Sequence, residues 1–189
     1  PNAAYYDKNY RGSWNGLTII SISIGQGEVT LTPLQIANLG ATIANRGYYI
    51  TPHVVKSIEN DAIDTLYTQK KYTKVDRIHY EEVVEGMRMA VTGGTCRMAN
   101  LPDIEVCGKT GTAQNRGKDH SAFMGFAPMN NPKIAIAVYV ENGGFGAVYG
   151  VPIGRLMIEQ YLKGELTPQD EELATDIQNR RIDYGIHER

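Results

Sequence analysis

The chain has 189 residues, of which 42% are apolar and 21% are charged, a composition typical of a globular core rather than of a disordered protein. Its formal net charge of −2 gives no bulk attraction to nucleic acid or to an anionic membrane surface, so no nucleic-acid partner is expected. No apolar run is long enough to span a bilayer. The first residue is Pro1 rather than an initiator Met, and we interpret the chain as cut from a longer protein.

One helix is clearly signalled in the first third of the chain. Residues 1–16 are rich in Tyr, Asn and Gly and are predicted to be an irregular lead-in, whereas residues 18–24 alternate Ile with Thr and Ser as an extended segment does. Thr32 and Pro33 then suit the N-cap and the first position of a helix. Apolar residues follow at helical spacing as far as Ala44, and Gly47 favours the left-handed backbone that ends a helix.

The middle of the chain predicts an extended segment and a second helix. Residues 48–58 are rich in β-branched side chains and are expected to be extended. Residues 77–91 have helical periodicity, and Gly93 follows as a terminator. The expected buried face of this helix consists of Tyr80, Val83, Val84, Met87 and Val91.

Three strands are predicted next, at residues 105–114, 121–128 and 133–141, joined by short connections rich in turn residues. Short connections favour antiparallel neighbours, and strands that are apolar on both faces need a covering layer on each. Residues 151–162 provide one such cover, with a face of Ile153, Leu156, Met157, Gln160 and Tyr161. The fold class is therefore predicted as α+β, an antiparallel sheet covered by helices. A further capped helix is expected from Thr167, with its sparse Leu173 and Ile177 typical of a surface element.

The chain contains two cysteines, Cys96 and Cys107. Their spacing fits no zinc pattern, because no second pair of Cys or His accompanies them. Two interpretations stay open: both are unpaired core residues, or they form a disulfide in an oxidising compartment.

The segment with the strongest chemical signal is Lys109-Thr110-Gly111-Thr112, within the first of the three predicted strands. It offers a cation and two hydroxyls within four residues, and its glycine thins the strand where a ligand would approach. These groups suit the binding of a carboxylate and an acyl oxyanion. An acyl-transfer enzyme also needs a nucleophile with an activating base, and the chain contains no convincing one. The sequence therefore predicts half of an active site.

Several motifs occur in an order and at a spacing that resemble the penicillin-binding proteins, most closely their elongation-type class B transpeptidases. These motifs are Gly25-Gln26-Gly27 leading into Thr32-Pro33-Leu34-Gln35, Lys109 to Gln114, Asp119-His120 before Phe126-Ala127-Pro128, and Glu141-Asn142-Gly143-Gly144. The resemblance covers nearly the whole chain. It implies the transpeptidase fold shared by penicillin-binding proteins and serine β-lactamases, here incomplete.

The family active site has three motifs: Ser-x-x-Lys, Ser-x-Asn and Lys-[Ser/Thr]-Gly. Only the third occurs here as expected, because Ser-x-x-Lys is absent and Ser13-Trp14-Asn15 lies where the family has a lead-in strand. Residues 1–165 are therefore interpreted as the C-terminal part of a transpeptidase domain, and residues 166–189 as a helical, charged tail. Such a piece should expose an apolar surface, so we expect self-association.

The resemblance also implies roles for individual residues. Lys109 would lie beside the serine of the second motif and assist proton transfer through its positive field. Thr110 and Thr112 would bind the carboxylate of a D-alanyl donor or of a β-lactam, with Gly111 between them. The Thr112 backbone N–H would be one of two donors to the oxyanion. Asp119 and His120, and the turn that begins at Glu141, are expected to be structural.

The resemblance implies a serine D,D-transpeptidase that cross-links peptidoglycan stem peptides, is blocked by β-lactam antibiotics and needs no cofactor or metal. It would act at the periplasmic face of the bacterial inner membrane, together with the cell-elongation machinery. The alternatives are a serine β-lactamase and a non-catalytic β-lactam sensor or binding module of the same fold. Without a nucleophile, the chain alone is expected to be inactive.

Overall fold

The computed structural model describes residues 2–182 and 184. The chain divides into two compact units at Thr32 and Pro33. The boundary between residues 165 and 166 that the sequence suggests stays a prediction. None of the described helices is both long and apolar enough to cross a bilayer.

The N-terminal unit contains two short helices, α1 (Ala3–Tyr10) and α2 (Gly16–Ser23). The expectations of an irregular lead-in and of an extended segment at residues 18–24 were therefore wrong. Local capping explains the difference. The Asn2 side chain accepts a hydrogen bond from the Tyr5 N–H at 2.9 Å, and Asn15 forms a capping box with Thr18 at the start of α2. These caps satisfy N–H groups that an isolated helix end would leave unpaired.

A carboxylate organises the tyrosines of this unit. The buried Tyr6 hydroxyl donates to Glu28 at 2.7 Å, and the Tyr10 hydroxyl donates to the other oxygen of the same carboxylate. The hydrogen bonds from Tyr10 and Tyr6 lower the pKa of Glu28. The Tyr-rich start is therefore folded onto Glu28.

The predicted third helix is confirmed as α3 (Pro33–Ala44). It ends in a Schellman motif: the Arg46 N–H donates to the Ile43 carbonyl at 3.0 Å, and the Gly47 N–H donates to the Thr42 carbonyl at 2.9 Å. Arg46 adopts the left-handed backbone with φ 55°, and Gly47 follows with φ 107°. The glycine is needed because a Cβ there would lie 2.9 Å from the Tyr80 ring.

The extended segment predicted for residues 48–58 is mostly irregular. Only β1 (Tyr48–Tyr49) is a strand, and it pairs antiparallel with β2 (Lys71–Tyr72). The helix predicted for residues 77–91 is confirmed as α4 (Arg77–Thr92). On its apolar face, Val83 is exposed, which differs from the prediction, whereas the other four predicted residues are buried.

The three predicted strands are confirmed as β3 (Cys107–Ala113), β4 (His120–Ala127) and β5 (Ile134–Val140). They form an antiparallel sheet in the order β3-β4-β5. Within the described part of the chain, β3 is therefore an edge strand. In the register, Thr110 lies opposite Phe123, and Thr112 lies opposite Ser121.

Helices cover both faces of this sheet, as its apolar composition predicts. On one face, residues of α3 and α4 form a core cluster with the sheet: Ile43, Ala44, Tyr80, Val84, Met87, Cys107 and Phe126. On the other face lies α5 (Gly150–Lys163). Its core cluster includes Val91, Cys96, Leu101, Phe123, Ile136, Val138, Val151 and Ile158.

The predicted face of α5 was wrong in part. Met157, Gln160 and Tyr161 are exposed, and the buried residues include Val151, Gly154 and Ile158. The register shifts because Gly154 allows α5 to approach the Phe123 ring, where a Cβ would lie only 2.4 Å from a ring atom. A prediction from apolar periodicity does not include glycine among the contact residues, so it missed Gly154.

The last helix, α6 (Pro168–Asn179), begins where the sequence predicts. Its Asp170 is buried, however, and accepts hydrogen bonds from Arg155 Nε on α5 at 2.7 and 2.9 Å. The element is therefore tied to the core by an ion pair and is not purely a surface helix. Residues 183 and 185–189 of the predicted tail lie outside the described residues.

Cys96 and Cys107 are both buried and unpaired, so the interpretation as core residues is confirmed over the disulfide. Burial raises the pKa of the Cys107 thiol to about 12. Burial also raises the pKa of the Cys96 thiol. Both groups are therefore protonated and poorly nucleophilic at neutral pH.

Candidate active site

The Lys109-to-Thr112 segment lies on the edge strand β3, and its side chains alternate between the two faces of the sheet. Residues directly opposite in an antiparallel pair share a face. Thr110 and Thr112 therefore share the α5 face with Phe123 and Ser121. Lys109 lies opposite Met124 on the other face.

The two threonines line a cavity of about 400 Å³ on the α5 face of the sheet. The Thr110 hydroxyl is hydrogen-bonded to the Thr95 hydroxyl at 3.0 Å. The complete lining consists of Thr95, Arg97, Met98, Thr110, Thr112, Phe145, Gly146 and Ala147. Three hydroxyls and one guanidinium thus border a space large enough for part of a peptide.

Lys109 is not among the residues that line this cavity. It is exposed, and its ammonium donates to the Thr110 carbonyl oxygen at 2.9 Å. The structure therefore brings Thr110 and Thr112 together and leaves Lys109 at the edge of the same strand, with Gly111 between the two threonines.

Gly146 brings one wall of the cavity against the sheet. A Cβ at this position would lie 2.5 Å from the Ala122 oxygen, 2.8 Å from the Gly111 oxygen and 3.0 Å from the Thr110 Cβ. Real side chains do not tolerate such contacts with backbone. Sequence reasoning missed this wall, although the glycine-rich run from Gly143 to Gly146 was a signal of close backbone approach.

Ser121 fixes the segment that carries this wall. Its buried hydroxyl donates to the Phe145 carbonyl oxygen at 2.9 Å and accepts from the Gly150 N–H at 3.0 Å. One side chain on β4 thus holds both the cavity wall and the start of α5. Because Ser121 lies opposite Thr112, the same residue also positions the wall relative to the threonines.

We expect Ser121→Ala to lower the free energy of unfolding by about 1–3 kcal/mol, because it removes the hydrogen-bond acceptor of the buried Gly150 N–H. It also removes one of the two hydrogen bonds to the Phe145 carbonyl, which still accepts from the Val148 N–H at 2.9 Å. Urea unfolding of the chain measures the change. Ser57→Ala is the control, since Ser57 is exposed and its loss should change stability by less than about 0.5 kcal/mol. Equal effects of the two substitutions would contradict the positioning role.

His120 is structural, as the sequence predicts. Its Nδ1 accepts a hydrogen bond from the Asn142 N–H at 2.9 Å, and its ring packs on Tyr139 with centroids 5.4 Å apart. The Gly144 N–H donates to the Asp119 carbonyl at 2.8 Å. The predicted turn is present, with Asn142 at φ 56°.

The Ser13-Trp14-Asn15 segment, which spells Ser-x-Asn, makes local structural contacts. Ser13 and Asn15 have local structural partners: the Ser13 hydroxyl donates to the Tyr10 carbonyl, and Asn15 caps α2. Among residues 2–182 and 184, no cluster of three or more His, Cys, Asp and Glu side chains is arranged to bind a metal ion.

Comparison with known proteins decides the family. The model of the penicillin binding protein transpeptidase domain matches residues 3–158, which is most of the chain. The chain belongs to this family. The predicted family and the predicted transpeptidase fold are thereby confirmed.

Individual transpeptidases share both sequence and fold with the chain. The peptidoglycan D,D-transpeptidase MrdA of Haemophilus influenzae is 31% identical over 203 residues, covering 96% of this chain and 31% of that protein. The crystal structure of Pseudomonas aeruginosa PBP2 in complex with WCK 5153 has a TM-score of 0.74 and 36% identity, covering 89% of this chain and 38% of that one. The resemblance to the elongation-type class B transpeptidases thus extends from the sequence to the three-dimensional fold.

A structure of penicillin-binding protein A from M. tuberculosis, an imipenem acyl-enzyme complex, also matches. Its TM-score is 0.65 with 34% identity, covering 78% of this chain and 34% of that one. The chain therefore spans about a third of the length of the transpeptidases that it matches.

Proposed function

We propose that the chain is the C-terminal part of the transpeptidase domain of a serine D,D-transpeptidase that cross-links peptidoglycan stem peptides. The observation that carries this proposal is the cavity against β3, where Thr110 and Thr112 of the family motif lie side by side. Two hydroxyls on alternate residues of one strand can both donate to a carboxylate, the group at the end of a D-alanyl-D-alanine peptide.

In the proposed reaction, the serine hydroxyl attacks the carbonyl of the penultimate D-alanine and forms an ester, while the terminal D-alanine leaves with the proton. An amine of a second stem peptide then attacks the ester, forms the cross-link and returns the serine. The serine belongs to the family's Ser-x-x-Lys motif, which does not occur in these residues.

Within this scheme, the chain contributes binding and electrostatic stabilisation. The threonine hydroxyls hold the donor carboxylate, the Thr112 N–H donates to the oxyanion and Lys109 assists proton transfer. Backbone donors on a sheet edge are preorganised and lose little entropy in the transition state. Lys109 is exposed on the edge strand, where a serine brought by the rest of the domain can approach it.

Membership of the family supports a proposed place and proposed partners for the complete protein. The complete protein acts at the periplasmic face of the inner membrane, on stem peptides, together with the cell-elongation machinery. β-Lactams inhibit it by acylating the same serine. The acyl-enzyme formed by penicillin-binding protein A with imipenem supports this part of the proposal.

Acylation of the complete protein by a fluorescent penicillin tests the proposal. The wild-type protein should be labelled, whereas the 189-residue chain alone should not, because it lacks the Ser-x-x-Lys motif. Lys109→Met should lower the second-order labelling rate about 100-fold, the lower end for removal of a group that assists proton transfer.

Lys133→Met is the matched control, because Lys133 is exposed in the connection before β5, and it should label at the wild-type rate. Wild-type labelling of Lys109→Met would contradict the role of this lysine. Labelling of the chain alone would show that it carries its own nucleophile. Rapid hydrolysis of penicillin by the complete protein would indicate a β-lactamase instead.

A further inference from the structure

We propose that Arg97 is a substrate-binding residue whose guanidinium pairs with the donor carboxylate held by Thr110 and Thr112. The inference rests on the proposed function and names the source of positive charge in the same cavity. Threonine hydroxyls are neutral, so a carboxylate that leaves water for this cavity needs a cation beside it.

The lysine of the motif does not provide that charge inside the cavity. Lys109 lies opposite Met124, on the face covered by α3 and α4, whereas the cavity lies on the α5 face. Its ammonium is also engaged by the Thr110 carbonyl oxygen. The threonines and the lysine are thus adjacent in sequence but point to opposite sides of the sheet.

Arg97 is the charged residue among the eight that line the cavity. Within the described residues, its guanidinium forms no ion pair or hydrogen bond. A free guanidinium beside hydroxyl groups is a good carboxylate site, because its planar N–H groups match the two carboxylate oxygens.

The backbone that carries Arg97 is held in place. Residues Arg97–Ala99 form a 3-10 turn, in which the Ala99 N–H donates to the Cys96 carbonyl at 2.8 Å. Cys96 and Ala99 are both fully buried on either side of the arginine. The side chain of Arg97 therefore projects from a fixed base, and little backbone entropy is lost when a ligand binds.

The acidic side chains near Arg97 do not form ion pairs with its guanidinium. Arg97 also borders a second cavity, of about 390 Å³, that contains Asp170, Glu172 and Asp176. Asp170 is already bonded to Arg155 at 2.7 Å, and Asp176 to Arg180 at 2.6 Å. Two of the three carboxylates therefore have arginine partners, which leaves Arg97 available to the threonine cavity.

The test compares a penicillin carrying its free carboxylate with the methyl ester of the same penicillin, on the complete protein. Arg97→Gln should lower the second-order rate of acylation by the free acid about 10- to 100-fold, the loss of a hydrogen bond to a charged group. The rate with the ester should change less than about 2-fold, because no charge is lost there. Arg97→Lys should restore part of the rate with the free acid.

The control is Arg77→Gln, because the Arg77 side chain is 79% exposed on α4, and both of its rates should equal those of the wild type. Equal losses of Arg97→Gln with acid and ester would mean a structural role and overturn the inference. Wild-type rates of Arg97→Gln with both penicillins would overturn it as well. A wild-type protein that neither penicillin acylates would overturn the proposed function itself, a different result from either.

Discussion

Phe123→Ala should lower the free energy of unfolding of the chain by about 3–5 kcal/mol, the range for truncating a buried aromatic ring in a core that cannot collapse. The Phe123 ring is 1% exposed and lies in the core cluster between the sheet and α5. Several of its closest neighbours are glycines, which contributes to the size of the effect.

Three glycines from two strands and a helix contact this ring closely. A Cβ would lie 2.5 Å from a ring atom at Gly108, 2.6 Å at Gly125 and 2.4 Å at Gly154. Gly150 also packs close to this residue, although less tightly, with 3.0 Å from a built Cβ to the Phe123 Cβ. A glycine has no side chain that could move into the space left by the deleted ring. The cavity therefore persists, and the free energy of unfolding falls by its full cost.

Urea unfolding followed by fluorescence and circular dichroism measures the change, provided that both signals give one transition. Phe145→Ala is the matched control, because Phe145 is 70% exposed and its truncation should cost less than about 0.5 kcal/mol. A loss below about 1 kcal/mol for Phe123→Ala would show that the glycines close around the empty space.

Asp170→Asn should also lower the free energy of unfolding by about 3–5 kcal/mol at neutral pH, because it leaves Arg155 without its charge partner. Asp170 is 1% exposed. Arg155 Nε lies 2.7 Å from one carboxylate oxygen, and its Nη1 donates to the Asn100 carbonyl at 2.6 Å. These two contacts hold the Arg155 guanidinium in place, so it cannot turn into solvent when its charge partner is removed.

The pH dependence of this effect has a definite sign. Burial alone would raise the pKa of Asp170, but hydrogen bonds from Arg155 and Thr167 and the charge of Arg155 hold it below its ordinary value. A lowered pKa in the folded state stabilises the protein above the unfolded pKa of about 3.9. The contribution is lost as pH falls below that value and through the lower folded pKa.

A series of urea titrations between about pH 7 and pH 3 should therefore show the difference between wild type and Asp170→Asn shrinking below about pH 4. Asp176→Asn is the control, since its side chain is 59% exposed and pairs with Arg180 on the surface; it should cost less than about 1 kcal/mol at any pH. A difference that stayed constant to pH 3 would rule out the carboxylate charge as its source.

The sequence predicted the elements that have long, uninterrupted signals. Helix α3 has a Pro start and a glycine after its end, and the strands β3 to β5 are joined by turn residues. The two N-terminal helices, α1 and α2, were missed because each has only eight residues. Their stability depends on asparagine caps rather than on apolar periodicity.

The buried polar contacts were not predicted from the sequence, for a different reason. Asp170 and Glu159 are buried, although acidic residues usually lie at the surface. Asp170 on α6 pairs with Arg155 on α5, and this pair exists only once the two helices have packed. Glu159 pairs with Lys163 one turn further along α5, a spacing that the sequence does show, but its burial depends on the packing of that helix.

Some residues of the candidate site could be predicted from the sequence, and others could not. The Lys109-to-Thr112 segment was found because its chemistry lies within four consecutive residues. Arg97 and Phe145 come from segments before and after the sheet and meet the threonines only in the fold. The sequence predicts that the side chains of β3 alternate between the two faces of the sheet. It does not predict which face has the cavity, because that depends on where α5 packs.

The packing around Phe123 also has an evolutionary consequence. A single nucleotide change that adds a methyl group at Gly108, Gly125 or Gly154 collides with the ring, while a smaller residue at position 123 empties the centre of the domain. Neither step is tolerated alone, so the positions are epistatic. Lineages that abandon the phenyl ring are expected to exchange several of these residues in concert.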